Sequence, residues 1–105
     1  IFARLKALGP SVLVCSVLPV AESRFPNDGG GGRQLYHLNA DVERYNTRLK
    51  AAATAAGHAF LDIYTPAQAA GWIDHVYDGG HPNARGHQFI ADHVFAELKR
   101  IGWLT

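Results

Sequence analysis

The run Val12-Leu13-Val14-Cys15-Ser16-Val17 constrains the fold more than any other stretch of the chain. It is apolar without alternation and rich in β-branched residues, the pattern of a strand covered on both faces of a parallel sheet. Pro19 closes it. Upstream, Ile1, Leu5 and Leu8 recur at helical spacing, and Gly9-Pro10 stops that segment. Downstream, Leu35, Leu38, Val42, Tyr45, Leu49, Ala52 and Ala56 trace one face of a long helix that ends at Gly57, with Arg44, Arg48 and Lys50 on other faces. A second strand is predicted at Ala59-Phe60-Leu61-Asp62-Ile63. Strand, helix, strand in that order is the signature of a right-handed parallel crossover.

Residues 65–71 read as a short helical turn starting at Pro66, and residues 84–101 as a final helix burying Ile90, Val94, Leu98 and Ile101. The class is therefore α/β, in the order α-β-α-β-α. Two strands shield the apolar faces of three helices poorly, and a strand as apolar as residues 12–17 belongs in a sheet interior with a neighbour on each side. Those neighbours are expected upstream of Ile1. The same expectation follows from the absence of Met and from a chain that opens directly in a helical pattern. Residues 21–34, which include Pro26-Asn27-Asp28 and Gly29 to Gly32, are expected to form a flexible loop. The glycine tract is followed by Arg33-Gln34 and not by the Lys and Ser or Thr of a phosphate-binding loop.

Composition narrows the partner. The 105 residues suit one small domain, and 48% hydrophobic content supplies a core. Ten Lys and Arg against nine Asp and Glu, without long runs, leave no electrostatic footprint for nucleic acid or an anionic membrane. No apolar stretch of residues 1–105 approaches the roughly 20 residues that span a bilayer, and none of them reads as a basic-then-apolar leader, while any targeting signal is expected upstream of Ile1. The lone Cys15 has no internal disulfide partner and reads as a buried, inert thiol. A small, nearly neutral molecule is the expected ligand.

The chemistry concentrates in Asp78-Gly79-Gly80-His81-Pro82-Asn83, a loop between the second strand and the final helix. In an open α/β sheet such loops line the crevice beyond the strands' C-terminal ends. A carboxylate three residues before a histidine can fold back and accept a hydrogen bond from Nδ1–H, which leaves Nε2 facing outward as a general base. The glycines permit the bend, Pro82 stiffens the exit, and Asn83 can cap the last helix. On spacing alone, a plain turn at the start of a helix explains the same residues.

The whole string DGGHPNARGH, followed by an amphipathic helix, resembles the last block of the SGNH/GDSL hydrolases, written D-x-x-H-P-N-x-x-G. The likeness extends over nearly the whole chain, through a strand ending near a proline, a helix with Tyr45-Asn46 and a strand ending in Asp62. It implies a flavodoxin-like three-layer α/β/α sandwich with a five-stranded parallel sheet, of which residues 1–105 are the C-terminal part with the last two strands. It also implies a serine esterase that hydrolyses small carboxylic esters through an acyl-enzyme, with Asp78 as catalytic acid, His81 as base and no metal or organic cofactor. The family's G-D-S nucleophile and its oxyanion residues would lie upstream of Ile1, in the missing N-terminal part of the same domain, so this stretch alone is expected to be inactive.

Several other residues admit two readings. Trp72, Ile73, Val76 and Tyr77 either line an acyl pocket, with Trp72 and Tyr77 as substrate contacts, or plug the core beneath the loop. Ser16 lacks the flanking glycines of a nucleophile turn and reads as structural, as do Asp62, Asn39 and Asn46. His75, His81 and His87 compose an alternative metal-hydrolase site, although their spacing matches no standard ligand motif. His37, His58 and His93 read as surface or satisfied core residues. A non-catalytic binding module using the same crevice is the remaining alternative.

Overall fold

The structure is a computed structural model that describes residues 1–25 and 37–104. Helix α1 (Phe2–Ala7) leads into strand β1 (Leu13–Cys15), and helix α2 (Asn39–Ala55) carries the chain to strand β2 (Ala59–Leu61). Helix α3 (Tyr64–Ala69), a 3-10 turn at Trp72–His75 and helix α4 (Ala84–Arg100) complete the order. The two strands are parallel, with Leu13 opposite Ala59, Val14 opposite Phe60 and Cys15 opposite Leu61. The parallel pairing expected from strand, helix and strand is present, and α2 packs against β2.

Both strands are shorter than their apolar runs. Ala59 N donates to Val12 O and Ser16 N to Leu61 O, so the ladder continues one bond past each end of β1. Beyond that point the buried Ser16 hydroxyl accepts from Ile63 N at 2.9 Å and Tyr64 N at 3.0 Å, which turns the chain out of the sheet and into α3. Helix α3 therefore begins at Tyr64 and not at Pro66, and the proline falls in the first turn, where its missing N–H has no helical partner to lose.

Helix α2 is rotated from its sequence-derived face. The inward positions are Asn39, Val42, Asn46, Leu49, Ala53 and Ala56, whereas Leu38 and Tyr45 are more than half exposed. The cause is hydrogen bonding. Asn46 Oδ1 accepts from Val17 N at 2.7 Å and its Nδ2 donates to Val17 O at 2.9 Å. Asn39 makes the same pair of bonds to Val20, at 2.8 and 2.9 Å. Two carboxamides thus stand in for a strand neighbour along residues 17–20, and the helix turns to deliver them. At its other end α2 closes with a Schellman motif, His58 N to Ala53 O and Gly57 N to Thr54 O, for which Gly57 adopts φ +78°.

The best-packed core lies under the D-x-x-H loop. Ala21, Ala67, Trp72 and Val76 are buried there, with Leu18, Phe89 and Ile90 packed around them. Helix α4 presents Ile90, Val94, Leu98 and Ile101 half-buried on its inner side, as expected. By contrast, Ile1 and Leu8 of the first apolar stripe are exposed, and all six residues of β1 and β2 are only half-buried. Cys15 is likewise half-buried, not buried, and its partial desolvation raises the thiol pKa above the ordinary value. The expected flexible loop lies outside the described residues from position 26 onward. Its first part, Glu22–Arg24, is a 3-10 turn.

Candidate active site

The D-x-x-H loop is a closed excursion between two tied limbs. Gly71 turns the chain out of α3 in a left-handed conformation, and the Trp72–His75 turn follows. Val76 and Pro82 form an antiparallel bridge. Asn83 N donates to His75 O at 2.9 Å and Tyr77 N to His81 O at 3.1 Å, so the limbs are bonded on either side of that bridge. Five residues, Tyr77 to His81, make the tip.

Asp78 organises the tip with both of its oxygens. Oδ1 accepts from Gly80 N at 2.9 Å and from His81 N at 2.7 Å, and Oδ2 lies 2.5 Å from His81 Nδ1. The backbone N–H groups of His81 and Gly80, then the imidazole itself, hold the Asp78 carboxyl down at about 2, against an ordinary 3.8. A carboxylate so held is an acceptor throughout the neutral range. It therefore fixes the proton on Nδ1 and leaves Nε2 as the free lone pair.

The imidazole is presented, not buried. The His81 side chain is 73% exposed, and among the described residues no group bonds its Nε2. Tyr77, 65% exposed, stacks on the ring at 5.6 Å with an interplanar angle of 19°. The Tyr77 ring thus stands beside the imidazole, where a bound molecule can touch both.

The helix after the loop is fitted to it. Asn83 caps α4 by accepting from Gly86 N at 3.0 Å, while its Nδ2 donates to Asp74 O at 3.1 Å. Gly86 is buried against the loop's other limb, and a Cβ there would stand 2.2 Å from His75 O and 2.9 Å from Pro82 Cβ. The spacing of the glycine after His-Pro-Asn therefore has a steric cause.

A sequence model of the GDSL-like lipase/acylhydrolase family matches residues 1–89, a span that includes this loop and the first turn of α4. The chain belongs to that family. Neither the curated proteins nor the solved structures gave a match. The recognised family is one of hydrolases, and an ester is the substrate it implies in general.

Within this member of the family the remaining candidates separate by position. Trp72 is 3% exposed, stacked on His75 at 5.0 Å and set edge-on to Phe89 at 5.5 Å. That is the place of a core plug, and burial withdraws it from contact with a substrate. Val76 is buried with it, and Ile73 is partly exposed. Ser16 spends its hydroxyl on the chain reversal into α3, and Asp62 accepts from Thr65 N and Oγ1 at 3.1 and 2.6 Å. Partial burial opposes ionisation of Asp62, but those bonds bring its pKa below the ordinary value.

The three histidines of the metal alternative are not brought together. His75 is buried on Trp72 with Nδ1 at 3.1 Å from Gly71 O, and His81 is engaged by Asp78. Among the described residues no group of three His, Cys, Asp or Glu side chains is placed to hold a metal ion, and no helix is long and apolar enough to cross a membrane. His58 contacts Phe2 O through Nε2 and His93 contacts Phe89 O through Nδ1, while the His37 ring meets Phe25 edge-on.

Sequence reasoning missed the groups that hold the loop from outside. Arg24 Nη1 donates to Tyr77 O at 3.1 Å and Val76 O at 3.4 Å, and Ala21 N donates to Gly79 O at 2.8 Å. Nothing in the local pattern of Glu22-Ser23-Arg24 announces a contact more than 50 positions away.

Proposed function

We propose that this chain supplies the acid and base of a serine esterase and works with residues upstream of Ile1 in one SGNH-type domain. The observation that carries the reading is the 2.5 Å approach of Asp78 Oδ2 to His81 Nδ1, with Nε2 turned toward solvent. His81 Nε2 takes the proton of an upstream serine as its oxygen adds to the ester carbonyl, and returns that proton to the alkoxide when the carbon–oxygen bond breaks. Water then repeats the two transfers on the acyl-serine, releasing the carboxylic acid. Asp78 orients the ring throughout and stabilises the imidazolium. Tyr77 is the substrate contact that survives the placement of Trp72 in the core.

The half-domain reading rests on uncovered apolar surface. A strand of the composition of β1 packs on both faces and pairs on both edges in a parallel sheet, yet Leu13, Val14 and Cys15 are half-buried and β2 is the one partner among the described residues. Further parallel strands along the free edge of β1 would complete a five-stranded α/β/α sandwich.

Two protein samples test the proposal: residues 1–105 alone, and the protein at its natural length. A short-chain aryl ester is turned over by the longer protein, and a fluorophosphonate labels a serine outside residues 1–105. The shorter chain gives only the buffer rate. Chelator-sensitive hydrolysis by residues 1–105 alone would overturn the assignment.

A further inference from the structure

We infer that Arg24 is a positioning residue, the strut through which the Glu22–Arg24 turn holds the Asp78–His81 loop in its catalytic form. The inference rests on the reading of His81 as the base. Its starting point is a deficit of donors. Tyr77 and His81 face each other across the loop as a hydrogen-bonded antiparallel pair, and such a pair exchanges two backbone bonds. The first is present, from Tyr77 N to His81 O. The second would run from His81 N to Tyr77 O, but His81 N is donated to Asp78 Oδ1. Pro82, next in line, has no N–H to offer. The turn that aims Asp78 at the imidazole thus strips the loop of a ladder bond.

Arg24 restores it from outside. Its Nη1 donates to Tyr77 O at 3.1 Å and reaches Val76 O at 3.4 Å. Ala21 N binds Gly79 O at 2.8 Å, and the Arg24 Cβ and Phe25 ring pack so closely on Gly79 that a Cβ there would lie 3.1 Å from each. The turn is itself anchored on its far side. Glu22 Oε1 accepts from Asn39 N at 2.6 Å, and the Asn39 carboxamide grips Val20 by both N–H and C=O. A continuous chain of bonds therefore runs from the first turn of α2 through Glu22 and Arg24 to the two residues that precede Asp78. The Asp78 contacts are all internal to the tip, so they set its shape without fixing its place.

The test uses Arg24→Ala and Arg24→Lys in the natural-length protein, with an aryl ester as probe. Misplacement of a catalytic group by about 1 Å costs on the order of 100-fold, so Arg24→Ala should lower kcat by about 10- to 100-fold with KM within about twofold. The downfield proton resonance of His81 Nδ1–H, read by NMR without turnover, should broaden or vanish. Arg24→Lys, which offers one ammonium to the same carbonyls, should recover part of both signals. Wild-type kcat with an undiminished resonance in folded Arg24→Ala would overturn the inference. If Arg24→Ala does not fold, Arg24→Gln decides in its place, and wild-type kcat and resonance there would equally overturn it. His81→Ala separates the two levels. Full activity in that variant removes the base assignment, whereas an inactive His81→Ala beside a fully active Arg24→Ala removes the strut alone.

Discussion

Replacing Gly86 with alanine sets two physical effects of opposite sign against each other. Gly86 sits in the first turn of α4, and alanine is the better helix former by about 1 kcal/mol, so propensity alone makes Gly86→Ala stabilising. Packing says otherwise. The new Cβ would lie 2.2 Å from His75 O, more than 1 Å inside ordinary contact, and 2.9 Å from Pro82 Cβ. His75 O cannot swing aside freely, because it accepts from Asn83 N, the residue that caps the same helix. Overpacking costs about 1–3 kcal/mol and a lost cap about 1 kcal/mol more, so after the helix-propensity gain of about 1 kcal/mol the net expectation is destabilisation by about 1–3 kcal/mol. Urea unfolding followed by circular dichroism measures it. With an m-value of about 1–3 kcal/mol per molar, the midpoint should fall by about 0.3–3 M, and by about 1 M at the middle of both ranges. A midpoint equal to or above that of the wild type would refute the steric account of the glycine.

Three further outcomes are expected. Asn46→Ala removes two bonds to Val17, each worth about 1 kcal/mol, and water at the exposed Val17 recovers part, so urea unfolding should show a loss of about 1 kcal/mol. The Asp78 carboxyl, at 3.8 when unfolded and about 2 when folded, favours the native state above 3.8, and that contribution is lost as pH falls through about 2; an Asp78→Asn acid titration should lack this component. Trp72→Ala should cost about 3–5 kcal/mol of stability with KM unchanged, whereas Tyr77→Ala should raise KM and shift stability by no more than about 0.5 kcal/mol, as parallel denaturation and kinetics will show.

Element order and the D-x-x-H geometry are legible in the sequence for a common reason. Periodicity and local spacing report contacts between near neighbours in the chain. The parallel pairing of β1 with β2, the cap at Asn83 and the fold-back of Asp78 onto His81 are of that kind or follow from chain order. The face of α2 is not. Asn39 and Asn46 turn inward because Val17 and Val20 need partners for their backbone groups, a long-range demand that outweighs the apolar claims of Leu38 and Tyr45. The ends of the strands are set in the same way, by the Ser16 hydroxyl. Arg24 is the extreme case, since its value arises from a donor deficit visible only once the loop is closed.

The most direct measurement is kcat/KM for a short-chain aryl ester in the natural-length protein and its His81→Ala variant, with the fold of both checked by circular dichroism. If His81, held by Asp78, is the base, kcat/KM falls by about a thousandfold or more. A folded His81→Ala variant that keeps kcat/KM within about tenfold of the wild type would contradict the assignment.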